Sequence, residues 1–209
     1  MSPFYKNTVD NAYYELSKKI KKRFKGLEVS IFVVGGAAIL HHCAFRESTM
    51  DIDVIKDRNI DLRDLLLELE ETKGFPHNWL NDSVIFSSSF CKGLRKYCKF
   101  YKTFYSCLHV YVIVPVALVC MKLKANRLER NDLLDALSIC CEHDLSFENI
   151  KYVYEELYGN DLPEVFSVVE RLFRYFTEYK VAQRDRLSEL NRLYSLGDLD
   201  QTLKFLLGD

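Results

Sequence analysis

Two aspartates separated by one isoleucine, Asp51-Ile52-Asp53, are the residues of this chain best suited to chemistry. On a strand, alternate side chains share a face, so both carboxylates would point one way and Ile52 the other. Carboxylates held together repel unless a cation lies between them. Hard oxygen ligands suit Mg²⁺, which completes its shell with water and substrate phosphates. Upstream stands Gly35-Gly36, after the apolar run Ile31–Val34 and before Ala37-Ala38. The run reads as a buried strand. The glycines let a ligand come close to the backbone. The alanines open a helix whose first N–H groups lack intrahelical partners and can receive an anion. A phosphate cradle followed by paired acids predicts Mg²⁺-assisted chemistry on a nucleoside triphosphate.

These residues need strands and helices to hold them. Apolar positions Tyr13, Leu16, Ile20 and Phe24 predict an opening helix over 9–24. Its polar side carries Lys18, Lys19, Lys21, Lys22 and Arg23, either a solvated face or an RNA-facing patch. Strands are predicted over 28–34 and 49–55, with the helix 35–43 between them. Leu62, Leu65, Leu66 and Leu69 predict a helix ending near Lys73, stopped by Gly74. In the Trp79-Leu80-Asn81 string that follows, Trp79 is expected to anchor a loop and Asn81 to bond backbone. Ser83–Phe86 reads as β-like and 108–114 as a central strand, after which Pro115 starts a helix. Between them, Lys92, Arg95, Lys96, Lys99 and Tyr101 interleave cations and rings. That pattern suits RNA, phosphates on the cations and bases on the rings, and it equally suits a half-exposed strand.

After about His143 the pattern is helical to the end, over roughly 147–157, 163–179, 183–196 and 198–207. The stripe Phe166, Phe173, Phe176 and Tyr179 is the expected bundle core. The predicted fold is α+β: a small mixed sheet flanked by helices over residues 1–143, then a C-terminal helical bundle over 144–209. Net charge is −1 across 209 residues, so any nucleic-acid contact must come from a local patch. The seven cysteines form no Cys-x-x-Cys pair and read as reduced thiols. His41-His42-Cys43 is a poor metal site, because adjacent helical residues point in different directions. No signal peptide and no membrane span is legible, and a cytoplasmic location is expected.

Strand, Gly35-Gly36, helix, then Asp51-x-Asp53 resembles the core of the nucleotidyltransferase superfamily related to DNA polymerase β. Arg46-x-x-Thr49-x-Asp51-Ile-Asp53 resembles more closely the small bacterial branch of AbiEii-type toxins and minimal nucleotidyltransferases. Lys122-x-x-Ala125 followed by Asp132-x-x-Asp135 is similar to a second signature of that branch. The resemblance implies Mg²⁺ on Asp51 and Asp53, and nucleotide contacts from Gly35, Gly36, Arg46, Thr49 and Lys122. It gives Asp132 an assisting role at the acceptor hydroxyl or the metal, and leaves Asp135 as a structural partner for an arginine. It implies a nucleoside monophosphate moved to a tRNA 3′ end or a protein hydroxyl, by a toxin or anti-phage effector that a cognate antitoxin restrains.

Two departures favour a second class of function, an inactive binding module or partner subunit with the same fold. The strand 108–114, where many superfamily members carry a third metal-binding acid, reads Leu-His109-Val-Tyr111-Val-Ile-Val. Ala37 stands where active relatives often carry Ser or Thr.

Overall fold

A computed structural model describes residues 3–57, 60–127 and 131–208. The chain forms two compact units, Met1–Val114 and Pro115–Asp209. The compositional change noted after His143 lies inside the second.

In the first unit, β1 (Phe4–Tyr5) leads into α1 (Lys6–Arg23). Then follow β2 (Val29–Val33), α2 (Gly35–His42), β3 (Ser48–Thr49), β4 (Ile52–Lys56), α3 (Arg63–Lys73) and β5 (Leu80–Asn81). Two 3₁₀ turns, Ser83–Phe86 and Lys92–Tyr97, precede the hairpin of β6 (Cys98–Phe104) and β7 (Leu108–Ile113). The main sheet has the order β5-β4-β2-β7-β6, with β4/β5 and β2/β7 parallel and β2/β4 and β6/β7 antiparallel. The α+β expectation and its mixed sheet are met.

Alternation divides this sheet into two unlike faces. Val29, Ile31 and Val33 of β2 are buried, as are Val54 of β4 and Val110 and Val112 of β7. Tyr13, Leu16 and Ile20 of α1 and Ala37 to Leu40 of α2 are buried with them. The opposite face carries Phe32, which pairs in register with Ile55 and Tyr111, and Phe100, which pairs with Tyr111. Asp53 shares that face with Ile55, two residues on, and Asn81 lies directly across from it.

Several elements differ from the sequence expectation. The strand 49–55 is two strands, because Ser48–Thr49 pairs with the N-terminal Phe4–Tyr5 while Ile52–Lys56 joins the main sheet. Asp51 therefore lies just before β4 rather than within a strand. Ser83–Phe86 is a 3₁₀ turn and not β, with Ser87 N–H bonded to the Val84 carbonyl. The strand at 108–113 is interior, as expected, paired with β2 on one side and β6 on the other. Gly74 caps α3 as expected, in the left-handed region at φ +69°. A Cβ there would meet nothing within 4 Å, so only the backbone would object. Gly74→Ala is expected to cost about 1 kcal/mol, read from urea unfolding.

The second unit is helical: α4 (Pro115–Ala125), α5 (Asp132–His143), α6 (Phe147–Tyr158), α7 (Val165–Glu178), α8 (Arg186–Ser195) and α9 (Leu199–Leu207). Ser146 caps α6 by accepting the Asn149 N–H at 3.2 Å. Of the predicted aromatic stripe, Phe166 and Phe176 are core, whereas Phe173 is half-buried and Tyr179 is exposed. Val165, Val169, Leu172 and Tyr175 complete the buried face, following the 3.6-residue period more closely than the rings do. Among the described residues, no helix is long and apolar enough to cross a membrane.

Candidate active site

The diglycine bend and the second aspartate meet. Val34 ends the extended run, and its N–H donates to the Asp53 carbonyl at 2.9 Å. Gly35 then turns into α2 with φ +61°. A Cβ on Gly35 would lie 2.5 Å from Asp53 Oδ2, closer than real atoms come. Glycine is needed twice here, for its backbone angle and for the carboxylate packed against it. Val34 caps α2 without a side-chain hydrogen bond, so the first N–H groups of the helix are not consumed by a cap.

Gly36 meets the loop in the same way. A Cβ on it would approach Thr49 Oγ1 to 2.7 Å and the Arg46 guanidinium to 3.6 Å. Thr49, buried, donates from Oγ1 to the Asp51 carbonyl at 3.1 Å, and Arg46 Nε donates to the Ser48 carbonyl at 3.2 Å. The structure thus gathers Gly35, Gly36, Arg46, Thr49 and Asp53 around the start of one helix. Asp51 adjoins them through its backbone.

Gly35→Ala is expected to weaken nucleotide binding about fivefold or more, since relief of a left-handed alanine, about 1–2 kcal/mol, and of its clash with Asp53 displaces the bend and the acid beside it. Gly36→Ala is expected to do less, because the threonine side chain it meets can rotate. Titration of a Mg-triphosphate against both variants checks the order.

Sequence reading missed the part played by β5. It looked for a third acid on β7, but β2 lies between β7 and β4, and His109 of β7 bonds Thr103 and Glu28. The strand beside β4 on its other side is β5, with Asn81 in register with Asp53. Asn81 Oδ1 accepts the Ser83 N–H at 3.1 Å, the backbone bond expected of it. Trp79, fully buried between Phe4 and Phe75, fixes this strand through its carbonyl, which accepts the Ile52 N–H at 2.6 Å. The Trp-Leu-Asn string was the available signal.

Asp51 and Asp53 are the residues that could hold a Mg²⁺ here. Among the described residues there is no cluster of three acid, histidine or cysteine ligands. Two carboxylates would leave several positions for water and phosphate oxygens, the arrangement Mg²⁺ favours. His41 and His42 diverge as expected: His42 Nε2 meets the Ile113 carbonyl at 2.7 Å, while His41 stacks on Tyr13 and burial lowers its pKa to about 4.

The second signature forms its own cluster within the helical unit. Lys122 Nζ lies 2.8 Å from Asp132 Oδ1 and 2.8 Å from Asp135 Oδ2. Arg127 Nε donates to Asp132 Oδ2 at 2.8 Å, and its backbone N–H reaches the same oxygen at 3.1 Å. Asp132 is fully buried. Burial alone would raise its carboxyl pKa, but hydrogen bonds from Arg127 and Lys122 outweigh that and hold it below the usual range. Asp135, expected as a structural partner for an arginine, pairs with Lys122.

The basic and aromatic stretch divides between the two sheet faces. A bulge between Phe100 and Lys102 frees Tyr101, which donates to Asp10 of α1 at 3.0 Å. Arg95 bonds Asp57 and the Lys56 carbonyl and lies 5.3 Å over the Phe32 ring. Phe32 stacks on Tyr111 at 4.9 Å, and Phe100 meets Tyr111 edge-on at 5.7 Å. Lys92, Lys96 and Lys99 are exposed.

A family described as nucleotidyltransferase of unknown function (DUF6036) matches residues 11–184. That supports the superfamily resemblance without singling out the AbiEii-type branch. No curated protein and no solved structure matches the chain. The family match takes in β2, the diglycine bend, both aspartates, β5 and the Lys122 cluster, and the chain belongs to that nucleotidyltransferase family.

Proposed function

We propose that the chain transfers a nucleoside monophosphate from a nucleoside triphosphate to a hydroxyl acceptor. The observation that carries this is the Asp53 carboxylate packed against Gly35 at the start of α2. An anion received by the N–H groups of α2 would lie beside that carboxylate, where a cation bridging the two would neutralise both. Asp51 and Asp53 would hold Mg²⁺, with the Asn81 amide on the same sheet face. Bound there, Mg²⁺ would neutralise phosphate charge and favour ionisation of the attacking hydroxyl. Gly35 and Gly36 would offer backbone N–H groups to the phosphates, and Arg46 and Thr49 would border them. The acceptor oxygen attacks the α-phosphorus, the bond from that phosphorus to the bridging oxygen breaks, and pyrophosphate leaves. Positioning and charge neutralisation supply most of the rate.

The resemblance assigns Lys122 and Asp132 to the same reaction, with Lys122 on the leaving group. In that role the lysine would exchange part of its contact with two carboxylates for phosphate. An RNA hydroxyl is the favoured acceptor, because Phe32, Tyr111 and exposed Phe100 stack on the face that bears Asp53, and bases stack on such rings. A toxin or anti-phage effector, restrained by an antitoxin, is the biological form that goes with the AbiEii-type resemblance. The test is incubation with α-labelled triphosphates, Mg²⁺, total RNA and cell lysate. Label in RNA is the expected result; label in protein would redirect the acceptor.

The competing reading is a module that binds nucleotide and does not transfer it. It is favoured by Asn81, a neutral side chain in the strand position beside Asp53. Mg-dependent nucleotide binding with no label in any fraction would establish it.

A further inference from the structure

The first unit has a second cationic feature, away from the diglycine bend. A cleft of about 680 Å³ opens between α1 and α3, lined by Lys18, Lys19, Lys21, Lys22 and Lys73 against the single acid Glu15. Glu15 is shared by Lys18 at 3.2 Å and Lys73 at 3.1 Å, and Lys19 pairs with Glu68. Lys21 and Lys22 make no direct ion pair among the described residues. Five lysines converging on one concavity repel one another, and an anion that entered would relieve that repulsion.

The rim of the cleft is aromatic, and part of it is strained. Tyr105 lines the cleft from the tip of the β6–β7 hairpin. The turn is closed by the Cys107 N–H donating to the Phe104 carbonyl at 3.1 Å, with Tyr105 at φ +47° and Ser106 at φ +54°. Asparagine and glycine are the residues such two-residue turns favour, and a bulky ring at positive φ is uncommon. Tyr105 is 49% exposed, so burial does not explain its presence. Its ring meets Tyr14 edge-on at 6.0 Å, and Lys18 lies 5.3 Å over Tyr14.

We infer that this cleft binds a single-stranded segment of nucleic acid, with phosphates tracked by Lys21, Lys22 and Lys73 and a base stacked on Tyr105. Cations along a groove with rings at its edge are the general solution for single strands. A flat anionic membrane would not enter a concavity. The site extends the acceptor reading: RNA would be anchored on the helix-covered side of the sheet, apart from the face that bears Asp53.

The test needs neither triphosphate nor metal, so it can fail independently of the transfer reaction. A fluorescein-labelled 20-nucleotide single-stranded RNA of mixed sequence is titrated with the full chain, by anisotropy, across a salt series. Lys21→Ala with Lys22→Ala is expected to weaken binding about tenfold at low salt. It should also flatten the slope of log K against log salt by about 1.4, at about 0.7 per lost phosphate contact. Tyr105→Asn, which suits the left-handed turn, is expected to weaken binding at least about fivefold while the melting temperature holds or rises. Wild-type binding by the double lysine variant would overturn the inference. So would transfer of the loss to Lys92→Ala with Lys96→Ala. Equal binding of inorganic polyphosphate, insensitive to Tyr105→Asn, would replace nucleic acid with a general polyanion and overturn it as well.

Discussion

Asp53→Asn is expected to reduce nucleotidyl transfer on the order of 10³-fold while leaving the melting temperature within a few degrees of wild type. The two halves of this expectation have separate causes. The substitution keeps the shape of the side chain, so the packing against Gly35 survives. It removes one of two negative charges that would hold the metal, an interaction worth several kcal/mol where charge develops in the transition state. Each 1.36 kcal/mol is about tenfold in rate, which sets the magnitude. Single-turnover transfer of labelled nucleotide, beside a thermal melt of the same preparation, reads both. A large fall in melting temperature would instead mean that Asp53 is held in place for the fold.

Lys122→Ala is expected to act in the opposite way, chiefly on stability. It would take from Asp132, fully buried, and Asp135, nearly so, the lysine that meets both, while Arg127 still pairs with the first. Removing one partner of a buried ion pair costs about 3–5 kcal/mol. For a unit of this size, about 4–8 °C per kcal/mol puts the fall in melting temperature at about 12 °C or more. The same cluster sets an acid limit. The Asp132 carboxyl is depressed in the folded state, so the stability it contributes is complete above the unfolded value near 3.9. It is lost as pH falls through the lower folded value. Wild-type protein should therefore lose stability steeply below about pH 4, and Asp132→Ala should start lower and show a shallower acid decline. Calorimetry from pH 3 to 7 measures both. A melting temperature unmoved by Lys122→Ala would free the lysine for a purely catalytic role.

What could be read before the structure was local. Gly35-Gly36 and Asp51-x-Asp53 announce themselves by spacing, because a bend and an alternating pair each need only a few adjacent residues. Arg46 and Thr49 came from the same string, and the structure brings both against Gly36. What escaped depends on distant partners. The break between Thr49 and Ile52 exists because Phe4–Tyr5 pairs with Ser48–Thr49, a contact across more than forty residues. Asn81 gains its interest only from lying across from Asp53 in a parallel pair, and no periodicity reports strand order. The Lys122 cluster requires α4 and α5 to be folded against each other before one lysine can meet two aspartates. Ser83–Phe86 has β-branched residues and no partner strand, so its local preference lost to a turn.

The central claim is that paired acids beside a diglycine bend receive a metal-bound triphosphate. Calorimetric titration of a nucleoside triphosphate into wild type and into the Asp51→Asn, Asp53→Asn double variant, with and without Mg²⁺, tests it most directly. The account predicts binding to wild type that requires Mg²⁺, and none to the variant under either condition. Equal affinity in all four titrations, or tighter binding by the variant in the presence of Mg²⁺, would contradict it.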